Sequence, residues 1–179
     1  MHCVLIKRKK YLLVMDYHSR YCVMLPVGKK GNEIEFLNSF ETQLKANFRY
    51  WVDKAKMQLD EATRYIEQYE AAMNTCIFHQ RGDRSVQAHN KEVVWHLEAL
   101  VERKGHLSEK LDCLLFSVAV ADILRKRAGE KKQFHASEVF FDFWLTTFSP
   151  PVTPDNVINF KRYLDRKRSA TQEPTITDF

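Results

Sequence analysis

"YLLVMDYHSRYCVMLPVGKKG", residues 11–31, decides the fold class. Two apolar runs, 11–14 and 21–27, flank a polar tip, Asp16-Tyr17-His18-Ser19-Arg20. Their β-branched and aromatic content predicts paired strands, and Pro26 marks the end of the second run. Upstream, residues 2–7 form another short extended run and residues 8–10 a basic turn, so a three-stranded meander over 2–27 is expected. A bare hairpin is only marginally stable in water, so helices must cover it. The period-2 rule then points Leu12, Val14, Cys22 and Met24 inward together. The glycines at 28 and 31 bound a loop carrying Lys29 and Lys30.

Beyond that loop the apolar period changes from two to between three and four. Residues 32–74 hold no Gly or Pro, and Leu37, Phe40, Leu44, Phe48, Trp51, Leu59, Ala62, Ile66 and Tyr69 follow helical spacing. Two helices with a bend near 51–53 suit a compact domain better than one long rod. A short strand is expected at 75–79. Asp83 or Ser85 caps the next helix, which runs to about Lys104 with Val86, Val93, Leu97, Leu100 and Val101 inward and Gly105 as its stop. Residues 107–127 read as a central helix ending near Gly129, and residues 134–148 as an aromatic-rich helix closed by Ser149-Pro150-Pro151. Thr153-Pro154-Asp155 starts a last helix reaching about 168, and 169–179 reads as a tail. The expected fold is α+β: a short antiparallel N-terminal meander packed against a bundle of five or six helices, one domain over 1–168.

The chain has 179 residues, 45% of them hydrophobic and 28% charged, the composition of a soluble globular protein. No apolar run reaches the ~18 to 20 residues that cross a bilayer, and the N-terminus has basic residues after its apolar ones, unlike a secretory signal. The four cysteines are scattered, without a C-x-x-C pair, and read as buried reduced thiols in a reducing cytoplasm. The net charge is +5, unevenly distributed. Segments 7–10, 29–30, 125–132 and 161–168 hold 16 of the 28 basic residues with only two acids, Glu130 and Asp165, for +14 against −9 elsewhere. Such segregation suits a polyanion or an acidic protein partner.

Two segments, IKRKKYLLVMDYHSRYCVMLP (6–26) and RGDRSVQAHNKEVVWHLEALV (81–101), together resemble a family of small bacterial proteins of unknown function often found on mobile elements. That family places an Asn- or Asp-Arg-Ser and then a helix after a helical stretch, as Asp83-Arg84-Ser85 does here. Two positions depart from it: Asn90 follows Arg84 by six residues where seven is usual, and Ala88 stands where Gly is common. The resemblance covers about residues 5–101. It implies the fold and a bacterial, phage or mobile-element setting, and carries no activity with it.

Three groups of residues carry candidate chemistry. Arg81, Arg84 and Ser85, around Gly82 at a helix start, could clamp an anion between guanidinium groups and backbone N–H. The basic residues Lys7, Arg8, Lys9, Lys10, Arg125, Lys126, Arg127, Lys131, Lys132, Lys161, Arg162, Arg166, Lys167 and Arg168 would contact phosphates if they converge. His89, Glu92 and His96 share a helix face, but the seven-residue spacing of the histidines spans roughly 10 Å and disfavours one shared ion. Asp122 and Asp142 interrupt apolar runs and are expected at a solvent edge or paired with a base. The aromatic stretch 134–148 reads chiefly as core, with a partner groove or base stacking as its alternatives. The chain has no Walker A sequence, no G-x-G-x-x-G, no H-E-x-x-H and no local nucleophile signature. The expectation is a small non-enzymatic binding protein without cofactor, contacting nucleic acid through clustered Lys/Arg. The alternatives are a protein-partner module of a phage or mobile element and a small-ligand or nucleotide binder.

Overall fold

The computed structural model describes residues 1–25, 33–73, 75–76, 82–127, 129 and 131–150; the unit described is Met1–Ser149. Three antiparallel strands, β1 (His2–Ile6), β2 (Lys9–Met15) and β3 (Cys22–Leu25), form a meander in that order. Five helices follow among the described residues: α1 (Glu33–Lys54), α2 (Leu59–Ala72), α3 (Arg84–Lys104), α4 (Lys110–Ala121) and α5 (Ala136–Thr147). A two-stranded ribbon, β4 (Leu124–Lys126) and β5 (Gln133–His135), lies between the last two. The class is α+β, as the sequence predicts.

The sheet is a middle layer rather than a lid. Its register pairs Leu13 with Met24 and Met15 with Cys22, so odd residues of β2 share a face with even residues of β3. That face, with Tyr11, packs on Val93, Leu97 and Val101 of α3 and on Cys113, Phe116 and Val120 of α4. Leu12 and Val14 pair with Leu25 and Val23 and face a second core, built on Phe48 and Trp51 of α1, Ile66 and Tyr69 of α2, and Phe140 and Trp144 of α5. The expected single inward face of Leu12, Val14, Cys22 and Met24 therefore divides in two. Because side chains alternate, the register set by the tip determines the pairing of faces. β3 is buried throughout, and its Met24 N–H donates to Ser117 Oγ of α4 at 2.8 Å, which closes part of the sheet edge.

The helix boundaries follow local chemistry. α1 ends in a Schellman turn: Lys56 adopts φ 57°, its N–H reaches Asp53 O, and Met57 N–H reaches Val52 O. The expected division into two helices holds, but the break falls at 55–58 rather than at 51–53, which lies inside α1. α3 begins where the Asp83 carboxylate accepts from Val86 N–H at 2.9 Å and stops at Gly105, φ 87°. The predicted helix over 107–127 is corrected: α4 ends at Ala121. Asp122 is held there by Lys54 Nζ (3.1 Å) and Ser137 Oγ (2.8 Å), and the chain turns into β4. Phe134 and His135 likewise belong to β5, not to α5. Asp142 is exposed, and Asp122 is paired with a base, both as expected.

Of the cysteines, Cys22 and Cys113 are buried, whereas Cys3 and Cys76 are exposed, correcting the expectation that all four are interior. The expected strand over 75–79 falls largely outside the described residues, and Thr75 and Cys76 lie in no strand. The final helix and tail, 154–179, also fall outside them. No helix among the described residues is long and apolar enough to cross a membrane.

Candidate functional site

The tip between β2 and β3 is shaped by its own side chains. The Asp16 carboxylate accepts from the Ser19 N–H and hydroxyl, both at 2.6 Å, and Arg20 N–H donates to the Asp16 carbonyl at 3.0 Å. These contacts bring Arg20 to φ 61°, a conformation that favours glycine or asparagine. The Arg20 side chain is nevertheless buried. Its Nη1 donates to the Tyr17 carbonyl, its Nη2 to Ser85 Oγ (3.3 Å), and its guanidinium lies over the Tyr17 ring. Its Nε has no partner.

A second arginine arrives from β4. Strand alternation exposes Leu124 and Lys126 and turns Arg125 inward, to 2% exposure. Arg125 Nη2 donates to the Val120 carbonyl at 3.0 Å, capping the end of α4. Its Nε and Nη1 are buried without a hydrogen-bond partner, and it forms no salt bridge among the described residues. An interior guanidinium without a carboxylate in direct contact is costly. Burial lowers its pKa, while Glu92 and Cys22 act in the opposite direction; an arginine remains a cation all the same.

At the start of α3 lies a recess of about 410 Å³, lined by Ser85, Ala88, His89, Lys126, Arg127 and Gly129. Arg127 Nη2 reaches back to the His18 carbonyl (2.6 Å) and its guanidinium stacks on Phe134, tying the tip to the ribbon. His89 is 8% exposed, with Nδ1 3.8 Å from the Glu92 carboxylate. Burial lowers the His89 pKa, and the charges of Arg125 and Arg20 lower it further against the pull of Glu92. The Asp83 carboxyl is held below the usual range, chiefly by the Val86 N–H, with Arg20 adding to the effect. The recess wall thus carries the cations Lys126 and Arg127, and Arg20 reaches it through Ser85.

Some predicted site residues come together here and others do not. Ser85 joins Lys126 and Arg127 at the recess, so the anion candidate and one basic segment merge. Arg125, expected as an exposed phosphate contact, is instead interior: the helix that would have exposed it stops at Ala121. Arg84 is exposed at the first position of α3, and Lys131 and Lys132 are exposed before β5. Lys7, Arg8, Lys9 and Lys10 gather at the other end of α3. There Lys7 pairs with Glu102 (2.9 Å) and Lys9 donates to Ser108. From Ser85 to Glu102 a helix rises about 25 Å, too far for one small ligand to bridge. Arg81, Lys161, Arg162, Arg166, Lys167 and Arg168 lie outside the described residues, as do Lys29 and Lys30. Among the described residues no cluster of three His, Cys, Asp or Glu could hold a metal ion. Arg20 was missed by sequence reasoning; the signal for it is an arginine at a hairpin position where glycine would be expected.

The class defined by this fold and site is a small α+β protein with a recess at the start of α3 lined in part by Lys126 and Arg127. The chain belongs to the family described as domain of unknown function DUF6933, whose pattern matches residues 1–139. The match extends past the 5–101 resemblance to include α4, the ribbon and the start of α5, and hence the whole recess. No curated protein and no solved structure matches the chain.

Proposed function

We propose that the protein is a binding protein for a phosphate-bearing anion, held in the recess at the start of α3. One observation carries the reading: the recess wall brings Lys126 and Arg127 to the start of α3, where buried Arg20, its Nε without a hydrogen-bond partner, holds Ser85. Helix N-termini and arginine forks are suited to phosphate oxygens. Nucleic-acid contact through clustered Lys/Arg is the polymeric form of this reading. It has less support as one continuous face, since Lys7 and Lys9 have local partners at the far end of α3. A phage or mobile-element setting fits a small binder of this kind. Four free cysteines, two of them exposed, support a reducing cytoplasm as its compartment.

The test is thermal unfolding at constant ionic strength in chloride, phosphate, pyrophosphate and a short single-stranded oligonucleotide. A ligand at one hundred times its Kd stabilises by about 2.7 kcal/mol, roughly 5 to 11 °C for a chain of this size. Lys126→Gln should reduce that shift. Equal melting temperatures in all four solutions would overturn the proposal.

A further inference from the structure

We infer that the protein holds a second binding site, an apolar cavity between the sheet and α1, α2 and α5, whose ligand is a small uncharged aromatic molecule carrying one polar group. The inference is independent of the anion-binding reading above.

The cavity, of about 410 Å³, lies where Val14 and Val23 of the sheet meet Leu44 of α1, Tyr69 of α2 and Trp144 of α5. Protein interiors are close-packed, with few voids larger than a water molecule. An apolar void of about 150 Å³ already holds benzene, and this volume falls in the range of small-molecule sites. Eight of the fourteen lining residues are aromatic, and none is Lys, Arg, His, Asn or Gln. The inner rings fix one another: Tyr21 stacks on Phe140 with centroids 4.1 Å apart, and Tyr69 on Trp144 at 4.9 Å. Tyr17, Met73 and Phe143 border the same cavity and are exposed, which gives an apolar ligand a way in.

The wall also selects the charge of the ligand. An anion would meet no basic residue there. A cation would meet Asp16 alone, and that exposed carboxylate already accepts from the Ser19 N–H and hydroxyl, both at 2.6 Å. Either ion would lose its water without compensation. One polar group is open instead. The Tyr21 hydroxyl donates to Asn47 Oδ1 (2.7 Å) and accepts from Trp51 Nε1 (2.9 Å), and Tyr17 hydrogen-bonds to Asp83. The hydroxyl of Tyr69, a buried residue, has no hydrogen-bond partner among the described residues. Burial pushes its pKa up to about 12, so at neutral pH it remains a donor. A neutral ring with one oxygen acceptor matches both the rings and this hydroxyl.

Calorimetric titration of the full chain tests this, with naphthalene-2-methanol, 2-naphthoate and 2-naphthylmethylamine as neutral, anionic and cationic versions of one ring system. The alcohol should bind roughly tenfold more tightly than either ion, since an ion must also shed its hydration. Tyr69→Phe should weaken the alcohol about fivefold, the worth of one net hydrogen bond, with no fall in melting temperature. Leu44→Phe fills part of the cavity and should weaken it further. Phe143→Ala, which removes a wall at the exposed mouth, should also weaken it and is the variant to read if Leu44→Phe folds poorly. Lys126→Gln, in the recess at α3, should leave the affinity for the alcohol unchanged. An ion binding as tightly as the alcohol would overturn the ligand class. No heat from the alcohol up to its solubility limit, or parental affinity in all three cavity variants, would overturn the site, and neither result bears on the thermal shifts in phosphate and pyrophosphate.

Discussion

Replacing Arg125 by methionine should make the unliganded protein more stable, although Arg125 is among its most buried side chains. Methionine keeps an unbranched apolar stem of similar length and removes the guanidinium. What is lost is the hydrogen bond from Nη2 to the Val120 carbonyl, worth roughly 1.5 to 3 kcal/mol for a charged donor. What is relieved is the burial of Nε and Nη1 without partners, about 1 to 3 kcal/mol for each group, together with an unpaired interior charge, which well-packed apolar side chains often replace at a gain. The balance favours the variant by about 2 kcal/mol, which for a chain of this size is a rise of about 4 to 8 °C in Tm. Circular dichroism in phosphate-free buffer at constant chloride measures it, with urea unfolding to confirm an unchanged m-value. In phosphate the order should reverse, since only the parent chain gains from the anion. A variant less stable than its parent by more than about 1 kcal/mol without anion would refute the reasoning and make Arg125 a structural cap on α4.

Three other outcomes are expected. Lys7 and Arg8 both adopt positive φ in the two-residue turn between β1 and β2, where Asn-Gly is favoured; Lys7→Asn with Arg8→Gly should add about 1 kcal/mol to the urea-derived stability, the lost exposed pair to Glu102 contributing little. Since the folded-state pKa of His89 lies below its ordinary 6.5, the unfolded chain binds more protons between those values. Stability should therefore fall as pH drops through 6.5 and level off below the folded pKa, and His89→Gln should flatten this slope; a parent chain that gains stability over the same interval would contradict the assignment. Burial pushes the Cys22 and Cys113 thiols up to about 12, so iodoacetamide at pH 8 should label Cys3 and Cys76 in the folded protein, and mass spectrometry finding Cys22 or Cys113 modified without unfolding would count against the two-sided sheet.

Elements with their signals close at hand were legible in the sequence. The start and stop of α3 lie in Asp83 and Gly105, and the helical character of α1 and α2 shows in the spacing of a long stretch without Gly or Pro, though the place of the break between them does not. The end of α4 was not legible, because the groups holding Asp122 come from Lys54 and Ser137, distant in the chain. The same contacts explain why Arg125 was read as exposed: on a continuing helix it would sit on a basic last turn, while in β4 it points inward. The strand spacing identified a meander but not which odd and even positions share a face, since that depends on the register across the tip. The candidate site was half legible. Ser85 and the segment 125–127 were singled out separately, and nothing local to either says that Arg20 lies against them.

Assembly of the recess from two distant segments also bears on protein engineering. Arg20, which donates to Ser85, and the recess residues Ser85 and His89 precede the stop at Gly105, whereas the recess residues Lys126 and Arg127 follow it. A chain divided between α3 and α4 would leave some of the cations on each piece and a complete recess on neither. If the anion-binding proposal holds, phosphate would then act as a non-covalent staple between the two pieces, and its capture would report their reassociation without any added label. The same geometry makes the α3–α4 connection a place to insert a sensor domain whose motion is read as a change in anion affinity.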